Sequence, residues 1–190
     1  MKKLGKKRCR WASGEDTLMQ KYHDNVWGKP KKNDIDIFEA IVLDTNQAGL
    51  SWSCILHKRD NFARAFHNFD PKKIAKMTDR DVKNLMKDGG IIRHPLKIRA
   101  TIENAKAFLE LQKEFGSASK YFWGYTNGKV IRNKFKSHKN IPSKTPLSVS
   151  ISKDLKKRGF KFTGPVMCYA FMQGIGLVDD HTSECFCYKK

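Results

Sequence analysis

Residues 78–109, TDRDVKNLMKDGGIIRHPLKIRATIENAKAFL, carry the pattern that decides the fold. Thr78 followed three residues later by Asp81 resembles the capping box of a helix start. The pair Gly89-Gly90 stops that helix, and a proline shortly beyond it can open the next one, whose apolar residues recur at helical spacing. The stretch therefore predicts a helix, a glycine hairpin able to bind a phosphate through its backbone, and a second helix. An ordinary helix–helix corner explains the same residues.

Signals for helix starts and ends continue on both sides of this stretch. The alternation of apolar and polar residues that is typical of β-strands is rare throughout the chain. Further helices are predicted after Asp36, from Trp52 through Phe62 and Phe66, from Asp70-Pro71, ending at Leu155-Lys156-Lys157-Arg158-Gly159, and from Pro165 to Gly176. The polar segment 127–146 is predicted to be a surface loop over or beside the main cleft. We therefore expect an all-α protein, with the 190 residues forming one domain or two lobes around a shared cleft.

The charge is strongly one-sided, with 38 Lys and Arg against 19 Asp and Glu, a formal net charge of +19. Such an excess predicts attraction to a polyanion, and nucleic acid is the first candidate. A solvated lysine-rich surface, a ribosome or anionic lipid would satisfy the same number.

The five cysteines are an odd number, the basic segment Met1–Arg10 is followed by no apolar leader, and no run has the length of a membrane span. We therefore expect a reduced, intracellular, cytoplasmic protein, monomeric and without a membrane partner. Residues 1–7 are expected to be a basic, flexible N-terminus.

Cysteine and histidine pairs lie near both ends of the chain, Cys9 with His23 and His181 with Cys185. A tetrahedral Cys₂His₂ set has no open position for water, so one zinc ion there would be structural and would tie the termini together. A helix over 181–185 would place its two candidate ligands on one face. Spacing alone leaves ordinary buried cysteines and a satisfied histidine as the commoner explanation, and Cys187 competes as a ligand.

Aromatic residues cluster in the sequence around one acidic residue, Asp44, in an otherwise basic region: Trp11, Tyr22, Trp27 and Trp52. Aromatic faces stack on bases, and a carboxylate can accept a hydrogen bond from an exocyclic amine or favour a cationic ring. Each of these aromatics, taken alone, is better explained as a core residue.

The sequence motifs around these residues resemble those of the bacterial 3-methyladenine DNA glycosylase I family, and the resemblance extends over nearly the whole chain, from about Arg8 to Tyr188. The matching segments, in family order, are Tyr22-His23-Asp24-Asn25, Trp27-Gly28, Gln47-Ala48-Gly49-Leu50-Ser51-Trp52, Gly90-Ile91-Ile92-Arg93-His94, Leu155-Lys156-Lys157-Arg158-Gly159-Phe160-Lys161-Phe162, Cys168-Tyr169, Phe171-Met172-Gln173, Gly176-Leu177-Val178 and Asp180-His181.

The resemblance implies a helix-hairpin-helix DNA glycosylase that removes 3-methyladenine from alkylated duplex DNA in base excision repair, releasing the free base. It implies one structural zinc and no organic cofactor, and it carries the zinc ligands onto Cys9, His23, His181 and Cys185. Tyr22 and Trp52 fall on base-pocket positions, with Trp11 at the pocket edge, and Asp44 falls on the base-contacting position; we assign catalysis to Asp44, Tyr22 and Trp52. The expected DNA contacts are Gly89, Gly90, Arg93, His94, Lys156, Lys157, Arg158 and Lys161.

Two departures from the family pattern stand out. The family's base-contacting glutamate is Asp44 here, followed by Thr45 and Asn46 in place of the usual glycine and glutamine, and Val26 replaces a frequent acidic residue. The shorter side chain withdraws the carboxylate by roughly one C–C bond, about 1.5 Å. The alternative function is therefore a damaged-DNA-binding protein on the same fold that does not cleave, or that has altered specificity.

Overall fold

Helices dominate the chain, as expected for an all-α protein. The computed structural model describes residues 6–189, so residues 1–5 of the expected flexible N-terminus lie outside the described residues. The helices are α1 Thr17–Asn25, α2 Asp34–Gln47, α3 Trp52–His57, α4 Arg59–Ala65, α5 Pro71–Ile74, α6 Asp79–Leu85, α7 Pro95–Phe115, α8 Ala118–Gly124, α9 Pro146–Lys157 and α10 Pro165–Gly174. Strands β1, Ile131–Arg132, and β2, Val178–Asp179, form one short parallel pair.

Helix α2 is the centre of the fold. The side chain of Asn33 accepts a hydrogen bond from the Ile35 N–H and so caps the helix. All residues from Ile37 to Asn46 are buried, and α2 packs against α7 and α10. A helix buried on all sides holds its side chains rigidly, which fixes the positions of three buried polar residues on its last turns, Asp44, Thr45 and Asn46.

The predicted hairpin is present between α6 and the 21-residue α7. Asp81 accepts a hydrogen bond from the Thr78 N–H at 2.7 Å, which closes the predicted capping box. Gly90 is required by close approach, because a Cβ there would lie 2.9 Å from Asp88 Oδ1 and 3.0 Å from Asn61 Cγ. The ammonium of Lys58 donates to the carbonyls of both glycines and supports the turn from behind.

Two local expectations were wrong, and one condition was not met. The helix predicted from Trp52 through Phe66 is two helices, because the chain turns at Lys58 between α3 and α4. Helix α6 ends at Leu85, four residues before the glycines. Residues 181–185 form turns, not a helix, so helical spacing does not bring His181 and Cys185 together.

No helix among residues 6–189 is both long enough and apolar enough to cross a membrane.

Candidate active site and metal cluster

A cavity of about 390 Å³ opens between α1, α2, α3 and α10. It is lined by the four residues predicted for the base pocket and by others that the sequence reasoning did not single out. The lining is Trp11, Met19, Tyr22, Trp27, Asp44, Gln47, Trp52, His138, Ile141, Pro142, Ser143, Val166, Tyr169, Ala170 and Gln173. The volume is in the range of small-ligand sites, and the loop predicted beside the cleft contributes its 138–143 segment. We call this cavity the front pocket.

The N-cap of α1 sets the relative position of two pocket aromatics. Asp16 accepts hydrogen bonds from the N–H groups of Leu18 and Met19, and its other oxygen accepts one from Ser53 Oγ on α3 at 2.8 Å. These bonds hold the pKa of Asp16 at about 2, so the carboxylate stays charged. The tie between α1 and α3 brings the rings of Tyr22 and Trp52 to a centroid distance of 5.1 Å at 49°.

Among residues 6–189, Asp44 is the only carboxylate that lines the front pocket. It lies on the last turns of α2 with 8% of its surface exposed, and its carboxyl group accepts no hydrogen bond from a described residue. Burial raises its pKa to about 7, against a lowering influence from Lys31. Trp52 Nε1 is likewise buried without a hydrogen-bond partner among residues 6–189. The pocket therefore offers an acceptor that the protein itself does not satisfy, and its wall contains a buried donor without a partner.

Two further pocket residues are held by a buried acid behind them. Asp180 is fully buried and accepts hydrogen bonds from Tyr169 O–H at 2.6 Å, Gln173 Nε2 at 2.7 Å and Asn133 Nδ2 at 2.7 Å. Tyr169 and Gln173 lie in the sequence motifs that match the resemblance, but no role was predicted for either. Their position in those motifs was the signal that could have placed them in the pocket.

The predicted Cys/His residues meet beside the front pocket. The ligand atoms of His23, His181, Cys185 and Cys187 all lie within 4.8 Å of one another, whereas the predicted set had Cys9 instead of Cys187. Cys9 is adjacent: its N–H donates to His23 Nε2 at 3.3 Å, and its Sγ lies 3.8 Å from Thr182 Oγ1. Three of the four predicted ligands are therefore grouped, and two thiols compete for the fourth position.

Both histidines are oriented by carboxylates. His181 Nδ1 is 2.6 Å from Asp179 Oδ1, and His23 Nδ1 is 2.9 Å from Asp24 Oδ1. Each Nε2 is thereby left facing the thiols, and that of His181 is buried with no partner among the described residues. A carboxylate on Nδ1 with Nε2 directed at thiols is the arrangement typical of metal-ligating histidines, so the donor set fits a soft or borderline divalent ion.

The cluster and the pocket share walls. The Trp27 ring lies 4.7 Å from the His181 ring and 5.1 Å from the Trp11 ring, edge to face in both cases. Trp11 also lies 5.2 Å from His23. Because both tryptophans line the front pocket, the integrity of the Cys/His cluster bears directly on the pocket's shape.

The predicted DNA contacts divide into two groups. In the hairpin, Gly89, Arg93 and His94 are exposed, and neither the Gly89 nor the Arg93 N–H donates to a described residue. Arg158 instead donates to Asp154 at 2.7 Å and to Glu114, on the last turn of α7. At 1.5 Å per residue, the 21-residue helix separates that end from the hairpin by roughly 30 Å.

The other predicted DNA contacts between residues 156 and 161 are free of such pairing. Lys156, Lys157 and Lys161 are exposed, and none of them forms an ion pair with a described residue. The Lys161 backbone is fixed by Asn104 in the middle of α7, through bonds at 2.7 Å and 3.2 Å. Arg158 therefore differs from the lysines beside it in the chain in having its charge paired.

Comparisons with known proteins agree with this architecture. The model of the methyladenine glycosylase family matches residues 11–188. A DNA-3-methyladenine glycosylase of Haemophilus influenzae is 48% identical over 180 residues, covering 95% of this chain and 97% of that protein. DNA-3-methyladenine glycosylase 1 of Escherichia coli is 45% identical over 181 residues, covering 95% and 96%.

Solved structures give the same result. A crystal structure of 3-methyladenine DNA glycosylase I superposes with a TM-score of 0.93 at 45% identity, covering 96% of this chain and 100% of that one. A variant of 3-methyladenine DNA glycosylase I in complex with 3-methyladenine superposes with a TM-score of 0.91 at 35% identity, covering 93% and 95%.

Proposed function

The chain belongs to the methyladenine glycosylase family, and we infer that it excises 3-methyladenine from alkylated DNA by hydrolysing the N-glycosidic bond. The observation that carries this inference is the front pocket, in which a buried carboxylate and several aromatic rings line a cavity of about 390 Å³. A second candidate, a damaged-DNA-binding protein that does not cleave, rests on the shorter Asp44. Chromatography of bases released from methylated duplex DNA tests the inference.

The chemistry asked of the pocket is modest, because 3-methyladenine in DNA is already cationic and its glycosidic bond is weakened. The nucleotide must leave the helix, at a cost of a few kcal/mol that is smaller for a poorly stacked damaged base. Trp52 stacks on the base, and Tyr22 packs and hydrogen-bonds at its edge. Asp44 recognises the electron-poor ring and stabilises its positive charge.

Hydrolysis then proceeds without a covalent enzyme intermediate. The C–N bond breaks with its electron pair going to the neutral departing base, water adds to the sugar carbon, and one proton is released. No lysine lines the front pocket among residues 6–189, so no Schiff-base nucleophile is assigned and the enzyme is monofunctional, leaving the strand intact.

Replacing Trp52 by alanine should weaken excision of 3-methyladenine without weakening binding to undamaged duplex. Aromatic stacking on a base is worth about 1–3 kcal/mol, whereas phosphate contacts dominate non-specific affinity. Single-turnover excision and fluorescence anisotropy on undamaged DNA measure the two effects. Equal losses in both assays would mean that the substitution disrupts the core instead of the pocket.

One zinc ion is proposed at the cluster, held by His23, His181, Cys185 and Cys9, with Cys187 as the competing fourth ligand. The two oriented histidines and the unpartnered His181 Nε2 support it. A closed set of four protein ligands leaves no site for water, so the ion's chemistry is structural. It would fasten the C-terminal turns to α1 and so fix Trp11 and Trp27 in the pocket wall.

The DNA face is proposed to combine the exposed hairpin residues Gly89, Arg93 and His94 and the half-buried Gly90 with the unpaired Lys156, Lys157 and Lys161. The hairpin backbone approaches one phosphate through the Gly89 N–H, which donates to no described residue, and the charged side chains contact other phosphates of the duplex. The charge of Arg158 is already balanced by Asp154 and Glu114, so its contribution to this face is expected to be small.

Binding to undamaged duplex should weaken linearly in log affinity against log salt, with a slope of about −0.9 per phosphate contact. Arg93→Gln should make that slope shallower by about one unit. Lys113→Gln is the matched control, because it also removes one positive charge, and Lys113 pairs with Glu110 and is not part of the proposed DNA face. An affinity that barely responds to salt in the wild type would refute the proposed DNA face.

A further inference from the structure

A second cavity, of about 530 Å³, lies behind the front pocket. The two cavities share three wall residues, Tyr22, Asp44 and Trp52. We call the second one the rear cavity. Its wall differs from that of the front pocket in carrying several charged side chains, namely Lys21, Lys29, Lys31, Asp36, Glu39 and Arg59 in addition to Asp44. The carboxyl group that faces a base in front is therefore exposed to a set of fixed charges behind.

One of these charges, Lys31, extends from a firmly held backbone. The Lys31 N–H donates to the Ile175 carbonyl at 2.9 Å, and the Lys31 carbonyl accepts from Trp123 Nε1 at 2.8 Å. The Lys29–Pro30 peptide just before it is pressed against Gly176, where a Cβ would lie 2.2 Å from the Lys29 carbonyl carbon and 2.5 Å from Pro30 N. Because the chain is held on both sides, the Lys31 side chain has a fixed origin from which it enters the rear cavity.

The other charges around Asp44 differ in their partners. Arg59 donates two hydrogen bonds to Glu39, which balances that pair, whereas Lys21, Lys29 and Lys31 form no ion pair within 4.0 Å of a described residue. The titratable groups that line the two cavities with Asp44 are Lys21 and Tyr22 on α1, Lys29 and Lys31 in the α1–α2 connection, Asp36 and Glu39 on α2, Arg59 on α4, Tyr169 on α10 and His138 in the front-pocket loop. Among these cations, Lys31 is the one whose charge acts on the Asp44 carboxyl group.

We propose that Lys31 is a positioning residue for excision, which acts from the rear cavity to keep the Asp44 carboxyl anionic and so sets the lowest pH at which the pocket favours a cationic base. The proposal rests on the proposed function, since it concerns the same carboxylate. The burial of Asp44 opposes its ionisation, and a fixed cation behind it is what an anionic role there requires.

The electrostatics run in the required direction. Lys31 lowers the pKa of Asp44 against the dominant effect of burial, which still leaves it at about 7. Burial in turn lowers the pKa of Lys31, and Glu39, Asp36 and Asp44 oppose that effect. Removing the cation should therefore raise the pKa of Asp44 further, so the neutral acid would persist to higher pH.

The test compares Lys31→Gln, which removes the charge, with Lys31→Arg, which restores it. Lys32→Gln is the matched control, because Lys32 is exposed and its ammonium lies over the Trp123 ring, outside both cavities. Single-turnover excision of 3-methyladenine is measured from about pH 5 to about pH 9. The acidic limb of the Lys31→Gln profile should move up by about one pH unit, a rate several-fold to tenfold lower on that limb. Lys31→Arg and Lys32→Gln should keep the wild-type limb.

A second readout does not depend on activity. The pH titration of the Asp44 carboxyl carbon by NMR in the DNA-free protein should show the same upward shift in Lys31→Gln. An unchanged titration and an unchanged acidic limb would overturn the role of Lys31, as would a loss of rate that is equal at every pH. A shifted titration in a wild type that releases no base would uphold the coupling while refuting the proposed function.

Discussion

Asp44→Asn should lower the rate of 3-methyladenine excision by about ten- to a hundredfold, because a charge-assisted contact is worth about 1.5–3 kcal/mol. Asparagine keeps the shape of the side chain and removes the charge that favours a cationic base. Asp44→Glu should preserve or raise the rate by restoring the reach that the family's glutamate has. Single-turnover excision on methylated duplex measures both, with folding and metal content checked for each variant.

Asp44→Asn should also stabilise the folded protein at alkaline pH. The pKa of Asp44 rises from an ordinary 3.8 to about 7 on burial. An acid whose pKa is raised by folding stabilises the folded state fully when the pH lies below its ordinary pKa. That stabilisation is lost as the pH rises through the pKa of the acid in the folded protein, because the buried acid must then ionise. Removing the acid should therefore increase the free energy of unfolding at about pH 8, by at most about 4 kcal/mol.

Chemical denaturation at about pH 8 and about pH 5 separates the two predictions for Asp44. Greater stability at the higher pH together with slower excision would place the carboxylate in the site at a cost to the fold. Wild-type excision rates in Asp44→Asn would remove Asp44 from the mechanism. An inactive wild type that gains activity in Asp44→Glu would favour the damaged-DNA-binding alternative.

His181→Ala should abolish stoichiometric zinc binding and lower the melting temperature by many degrees. Structural zinc sites contribute apparent binding energies of about 10–16 kcal/mol in small zinc domains, and part of that energy becomes stability of the fold. Losing the ion would release the C-terminal turns from α1. Elemental analysis and thermal melting measure the two effects, and Cys54→Ser is a matched control because Cys54 lies outside the cluster.

The identity of the fourth ligand is decided by the same measurements. If the family's ligand set applies, Cys9→Ser should lower the zinc content and Cys187→Ser should leave the zinc content unchanged. The reverse result would assign the position to Cys187, which the structure places within 4.8 Å of the other three ligand atoms. A metal-free wild type whose melting is unaffected by a chelator would contradict the zinc proposal altogether.

The hairpin and α2 could be predicted because their signals are local. A capping residue, a glycine pair and an apolar run lie within one or two turns of the residues that they control. The break at Lys58 was missed, because the five polar residues 57–61 interrupt the apolar spacing but fit the exposed turn of one helix as well as a break between two. The Lys58 side chain contacts the Gly89 carbonyl, 31 residues away, and only the folded chain reveals that contact.

The site was partly predictable for a similar reason. Sequence motifs identified Asp44, Tyr22 and Trp52 as candidates, but residue types alone do not show which side chains share a cavity. The sequence marks Arg158 as one charge in a basic run, and only tertiary contacts with Glu114 reveal that this charge is paired. Lys31 carries no sequence signal, because its importance comes from the cavity it enters and not from its neighbours in the chain.

The most direct test of the central claim is to incubate the purified wild-type protein with methylated duplex DNA and to chromatograph the bases released. The account predicts free 3-methyladenine and an abasic strand that remains unbroken until it is treated with alkali. Protein that binds the methylated duplex but releases no base would contradict the account.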